Sequence, residues 1–200
     1  LIVVEPSQKS QVHRLTPESL VVTGTPGEVE RLRGAARTVT DRALLGCGLM
    51  ALMRAEEMVE LRRDDVAVVD TGSQLMVEIR WRRSKGSRGP VTRHLHLAPE
   101  IQARVELKNQ RRSRERVFGE SARELQNRLR RLARRARCRR VDWTLHSLRK
   151  SGASAMLSGG ADPELVRILG RWSDQRSMGP YVQWSLAGRA NPVWTTWMRR

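Results

Sequence analysis

An α+β domain, mainly helical with a small antiparallel β-sheet at one edge, is the fold class that the 200-residue sequence predicts. Three observations carry this. Apolar residues recur at helical spacing on both sides of residues 66–97, whereas within that stretch they alternate at the two-residue period of strands. Proline, glycine and capping residues punctuate the chain where one element should give way to the next.

Taken in order, Leu1 to Val4 is a short β-prone run, and Pro6 to Gly27 is rich in Ser, Thr, Gly and Pro, the composition of a linker. Pro26-Gly27 followed by Glu28-Val29-Glu30 marks a helix start, with Val29, Leu32 and Ala36 as its apolar stripe. A second helix is expected from about Thr40 to Arg62. Leu45, Leu49, Leu52 and Val59 line one face, and Cys47, Met50, Met58 and Leu61 line the other, so this helix should be buried nearly all round. Arg54 falls within it. A guanidinium among apolar neighbours stays charged and costs several kcal/mol to desolvate unless an anion meets it. That anion is either Glu57, one turn on, or a ligand.

Val66 to Val69, a Thr71-Gly72-Ser73 turn, Leu75 to Arg82 with alternating Leu75, Val77, Ile79 and Trp81, and Val91 to Leu97 predict the sheet. Lys85 lies in the basic, glycine-containing hairpin between the last two strands. His94 and His96 alternate on one strand and read as sheet-face residues rather than metal ligands. A helix is expected from Pro99 to about Lys108. Between Arg111 and Arg140, 13 of 30 residues are arginine, and Leu125, Leu129 and Leu132 keep a single helical stripe for the core.

The stretch from Thr144 to Tyr181 carries the densest signals. Leu145 to Leu157 reads as a helix that places His146 and Arg149, three residues apart, on one face within its first turns. A helix N-terminus with an imidazole and a guanidinium added suits a phosphate oxygen. Gly159-Gly160 ends that helix, and Asp162-Pro163-Glu164 starts a short one reaching Leu169, stopped by Gly170. Arg171, Trp172 and Tyr181, the only tyrosine, follow.

A formal net charge of +17 and a pI near 11.6 would gather polyanions, of which nucleic acid is the commonest, although ribosomal, chromatin and membrane-surface partners share that attraction. Cys47 and Cys138 form neither a metal-ligand spacing nor a disulfide framework, which fits a reducing compartment. No apolar run approaches the roughly 20 residues that span a bilayer, and no signal-peptide pattern opens the chain. The chain starts at Leu1 without a methionine, as a fragment or excised domain would.

H-S-L-R at His146 to Arg149, then Gly160, Asp162, Val166, Leu169 and Gly170, then a tyrosine about ten residues on, resembles the C-terminal half of the tyrosine recombinase (phage integrase) catalytic domain. Arg54, Glu57, Met58 and Leu61 resemble the family's R-x-x-E-L-x-x-L motif, with Leu52 where a glycine often stands. Lys85 resembles the hairpin lysine, and L-G-R-W from Leu169 to Trp172 is similar to variants in eukaryotic mobile elements.

The resemblance implies site-specific cutting and rejoining of DNA through a 3′-phosphotyrosyl intermediate, with no cofactor or metal. Tyr181 would attack, Arg54 and Arg149 would hold the non-bridging oxygens, Lys85 would protonate the leaving oxygen, and His146 would assist. Either Trp172 or Arg171 fills the place after the family's L-G. Gly179-Pro180 would set Tyr181 near a helix start or on a loop. Arg88, Arg128, Arg131, Arg135 and Lys150 are the expected contacts to the DNA backbone.

The implied organisation is residues 1–27 as a linker or the end of a preceding domain, 28–185 as the catalytic domain and 186–200 as a tail whose tryptophans suit docking. Double-stranded DNA, self-association into a synaptic tetramer, and an intracellular location with DNA, nucleus or nucleoid, complete the expectation. A type IB topoisomerase-like enzyme and a catalytically decayed DNA-binding remnant are the competing readings.

Overall fold

The computed structural model describes residues 24–70, 75–81, 91–96, 115–138, 143–174 and 176–178. Helix α1 (Pro26–Ala35) begins with Pro26 at its first position and is closed by a capping box, Thr25 with Glu28. Val29, Leu32 and Ala36 are buried, so the stripe read from the sequence is the core face. Helix α2 (Val39–Leu49) repeats the device with Thr38 and Asp41.

The expected single helix from Thr40 to Arg62 does not exist. It is broken after α2 by a turn through Met50 to Met53, and a separate short helix, α3 (Ala55–Glu60), follows. The break sits at Leu52, whose φ of 48° is left-handed and incompatible with a continuing helix. Glu57, at the third position of α3, accepts from the Arg54 backbone N–H at 2.7 Å, which makes Arg54 the N-cap and not a mid-helix residue. The apolar residues on both faces belong to two helices and the buried turn between them, rather than to one helix buried all round.

A 3₁₀ turn (Arg63–Asp65) leads into β1 (Val66–Asp70), β2 (Leu75–Trp81) and β3 (Val91–His96), an antiparallel sheet in the order β1-β2-β3. Trp81 pairs with Val91, which fixes the register on either side of the connection that carries Lys85. Val77 and Ile79 point into the core. The helix expected over residues 99–108 lies outside the described residues.

Helix α4 (Ala122–Arg135) starts at a Ser121–Glu124 capping box and buries Leu125, Leu129, Leu132 and Ala133. Helix α5 (Leu145–Ser158) starts at Thr144 and ends at Gly159-Gly160. Helix α6 (Pro163–Gly170) is capped by Asp162, whose carboxylate accepts from the Glu164 and Leu165 N–H groups. One core cluster joins α1, α2, α4, β2 and the first turns of α5, and a second gathers Leu52, Ala153, Met156, Leu157, Val166 and Met178 around α5 and α6.

Two glycines let α5 cross α2 closely. A Cβ on Gly152 would overlap the Leu49 carbonyl oxygen, and one on Gly48 would overlap the Leu148 side chain. Backbone therefore lies against backbone where α2 ends, and the N-terminal turns of α5 are set beside the Leu52 turn. Gln126 of α4 fixes the same end of α5, donating to the Trp143 carbonyl at 2.8 Å and accepting from the Leu145 N–H at 3.0 Å.

Candidate nucleic-acid active site

Three arginines converge on the Leu52 turn. Arg149, 2% exposed, reaches from α5 and donates to the Leu52 carbonyl at 2.7 Å and to the Gly170 carbonyl at 2.6 Å. Arg54 donates from Nη1 to Glu57 Oε1 at 3.0 Å and from Nη2 to the Arg171 carbonyl at 3.0 Å. Arg171 follows α6 in the left-handed conformation, with φ 56°, which turns its side chain back into the protein. Its Nη2 shares the Leu52 carbonyl with Arg149.

Glu57 is the common anion. Arg171 grips both its oxygens, Nε to Oε1 at 3.0 Å and Nη2 to Oε2 at 2.6 Å, while Arg54 takes Oε1 as well. Burial alone would raise the Glu57 carboxyl, but the hydrogen bonds and charge of Arg171, then the Arg54 N–H and charge, hold it below the ordinary carboxylate range. Glu57 thus does answer Arg54, as one of the two alternatives had it, but its stronger partner is Arg171. Sequence reasoning missed that second pairing, since 114 residues separate the two and no local pattern links them.

Trp172 packs over this cluster. Its ring lies 4.3 Å from the Arg149 guanidinium carbon, a cation–π stack, and also covers Gly170, where a Cβ would strike the ring. Trp172 is therefore the residue of the L-G-R-W run whose side chain touches an active-site candidate, whereas Gly170 and Arg171 meet Arg149 and Arg54 through their carbonyls and the Arg171 side chain turns toward Glu57.

His146, on the first turn of α5, keeps a solvent-exposed edge. Partial burial, then the charges of Lys150, Arg149 and Arg54, push its imidazole below the ordinary value and favour the neutral form. Lys150, half-buried, is also lowered by desolvation. Lys85, Arg88 and Tyr181 lie outside the described residues.

The expected backbone-binding arginines divide in two. Arg128 is held by Glu120 at 2.8 Å and Asp41 at 3.2 Å, and Arg135 by the Ala35 carbonyl at 3.0 Å and Asp41 at 3.7 Å, so both tie α4 to its neighbours. Arg131 is exposed, as are Arg123, Arg130 and Arg134 along the outer face of α4 and Arg137 just beyond its end. A cleft of about 280 Å³ between α1 and α2, lined by Arg33, Arg42, Leu45 and Met50, contains none of the converging residues. Among the described residues no group of His, Cys, Asp or Glu could hold a metal ion, and no helix is long and apolar enough to cross a membrane.

Comparison with solved structures gives the same architecture. XerA recombinase matches at 18% identity with a TM-score of 0.69, over 92% of this chain and 66% of that one. XerH site-specific recombinase, bound to a palindromic difH substrate in a post-cleavage complex, matches at 17% identity and a TM-score of 0.66, over 88% of this chain and 54% of that one. Flpe in its Holliday junction complex matches at 15% identity and a TM-score of 0.50, over 81% and 47%. The chain thus spans two thirds or less of the length of these recombinases. No curated protein sequence matches. Residues 24–186 match the phage integrase family, and with arginines from α5 and the Leu52 turn meeting on this fold, the chain is a member of that family, the tyrosine recombinases.

Proposed function

We propose that this chain is a site-specific DNA strand transferase that cuts and rejoins DNA through a 3′-phosphotyrosyl intermediate on Tyr181. The observation that carries the reading is that Arg54 and Arg149 are both anchored where the Leu52 turn meets Gly170 and Arg171, Arg149 beneath the Trp172 ring, with His146 three residues before Arg149 on α5. Two guanidiniums so placed stabilise the charge that gathers on the non-bridging oxygens of a phosphate under attack. Neutral His146 accepts or relays a proton at that phosphate. The Tyr181 hydroxyl adds to phosphorus, the P–O5′ bond breaks, and Lys85 delivers a proton to the departing 5′-oxygen. Ligation reverses these steps with another strand's 5′-hydroxyl. Guanidiniums take the electrophilic role that a metal ion takes in other phosphoryl-transfer enzymes.

Met178, three positions before Tyr181 in the sequence, is buried in the same apolar cluster as Leu52. Double-stranded DNA is the proposed substrate, met by the exposed arginines of α4 together with Arg88 and Lys150. Assembly of four copies on DNA, and residence in a nucleus or nucleoid, follow from the same reading.

Incubation with nicked DNA duplexes in EDTA, followed by a denaturing gel, tests it. A covalent protein–DNA adduct that disappears in Tyr181→Phe is the expected result. Tight, salt-sensitive binding without an adduct refutes the transferase reading in favour of a DNA-binding remnant. Supercoil relaxation without strand exchange would make it a topoisomerase.

A further inference from the structure

Arg171 follows the family's L-G pair, yet its side chain is 4% exposed and all five of its N–H donors are engaged inside the protein. Nε and one Nη2 hydrogen go to the two oxygens of Glu57, the other Nη2 hydrogen to Leu52, and the Nη1 pair to Leu169 and Ala51. A side chain so engaged has nothing to offer a phosphate directly.

Its effect is on Arg54. With Glu57 alone beside it, Arg54 would be half of a neutral ion pair, and an incoming anion would have to displace or tolerate that carboxylate. With Arg171 gripping both oxygens of Glu57 the trio carries net positive charge, and the Arg171 carbonyl also holds Arg54 Nη2 in place at 3.0 Å. We propose that Arg171 is a positioning residue that neutralises Glu57 and orients Arg54, so that Arg54, beside Arg149, presents net positive charge to a phosphate group. This rests on the reading of the cluster as an anion site. It assigns Arg171 a role distinct from that of Trp172, which touches Arg149.

The test is a charge-removal cycle read by inorganic phosphate binding rather than by activity. Phosphate is titrated at low ionic strength into the wild type, Arg171→Gln, Arg171→Lys and the double variant Glu57→Gln/Arg171→Gln. Binding is followed on the Trp172 indole N–H resonance, identified with Trp172→Phe, and circular dichroism checks the fold of each variant. The expected result is saturable binding that weakens about tenfold in Arg171→Gln, the scale of one unneutralised carboxylate nearby. Most of that affinity returns in the double variant, where Glu57 no longer needs neutralising.

A residue that only packs would show no such recovery, because removing both partners restores no packing. Failure of the double variant to recover, or an Arg171→Gln affinity within twofold of wild type, overturns the proposal. Should Arg171→Gln not fold, Arg171→Lys and the double variant decide: the lysine variant must bind within a few fold of wild type and the double variant likewise. Absence of saturable binding in the wild type overturns it outright. The separate adduct assay on nicked DNA reports the transferase reading on its own, so the two fail distinguishably.

Discussion

Replacing Gly152 with alanine pits two effects of opposite sign. In an isolated helix the change stabilises by roughly 0.8–1 kcal/mol, because glycine loses more backbone freedom on folding. In this protein the added Cβ would overlap the Leu49 carbonyl oxygen, a backbone atom that cannot turn aside. Relief requires α5 to move off α2 along the crossing. Overpacking of this kind costs about 1–3 kcal/mol, and the shift also lengthens the hydrogen bond from Arg149 to Leu52.

The net expectation is a destabilisation of up to about 2 kcal/mol, at roughly 2–4 °C in Tm per kcal/mol for a chain of this size. Gly34 supplies the control. It lies in α1, and a Cβ placed on it would meet nothing within 4 Å, so Gly34→Ala should stabilise by about 0.5–1 kcal/mol. Urea unfolding followed by circular dichroism compares the two. The reasoning is refuted if Gly152→Ala stabilises as Gly34→Ala does, since α2 and α5 would then not lie backbone against backbone.

Asp41 and Glu57 both hold folded-state values below their ordinary 3.8 and 4.5, so their contributions are complete at neutral pH and are lost as pH falls through and below that range. Acid unfolding curves should therefore flatten over that window in Asp41→Asn. His146 should titrate below the ordinary 6.5, and Lys150→Gln should move it upward, because a neighbouring cation is removed; NMR of the imidazole protons reads both. Replacing exposed Arg130, Arg131 and Arg134 together by glutamine should weaken DNA binding and reduce the salt slope by about 0.9 for each phosphate no longer neutralised, leaving Tm nearly unchanged. Arg128→Gln should instead lower Tm, since it leaves the buried Asp41 carboxylate with one cation fewer.

Capping residues and glycines are local signals, which is why the ends of α5 and α6 and the α1 stripe of Val29 and Leu32 are legible without tertiary information. Arg54, His146 and Arg149 could be proposed as a set from the sequence because motif spacing survives where overall identity is low. Leu52 stands in a glycine's place, yet the apolar periodicity carries a helix straight through it. A left-handed leucine has no signature in that periodicity; it is held there by packing that buries its side chain completely and by the Arg149 and Arg171 donors on its carbonyl.

Composition and order along the chain therefore determined the fold class and family, and named the charged residues proposed for the site. Tertiary structure alone decided what each charge faces. Arg128 and Arg131 are both arginines of one helix, three residues apart, but one turns toward Asp41 and Glu120 and the other toward solvent. Arg171 and Trp172 are adjacent, but the left-handed backbone at Arg171 sends one side chain inward to Glu57 and leaves the other over Arg149. Sequence specifies which charges are present. Their partners depend on approaches between residues roughly a hundred positions apart, which form only when the chain has closed on itself.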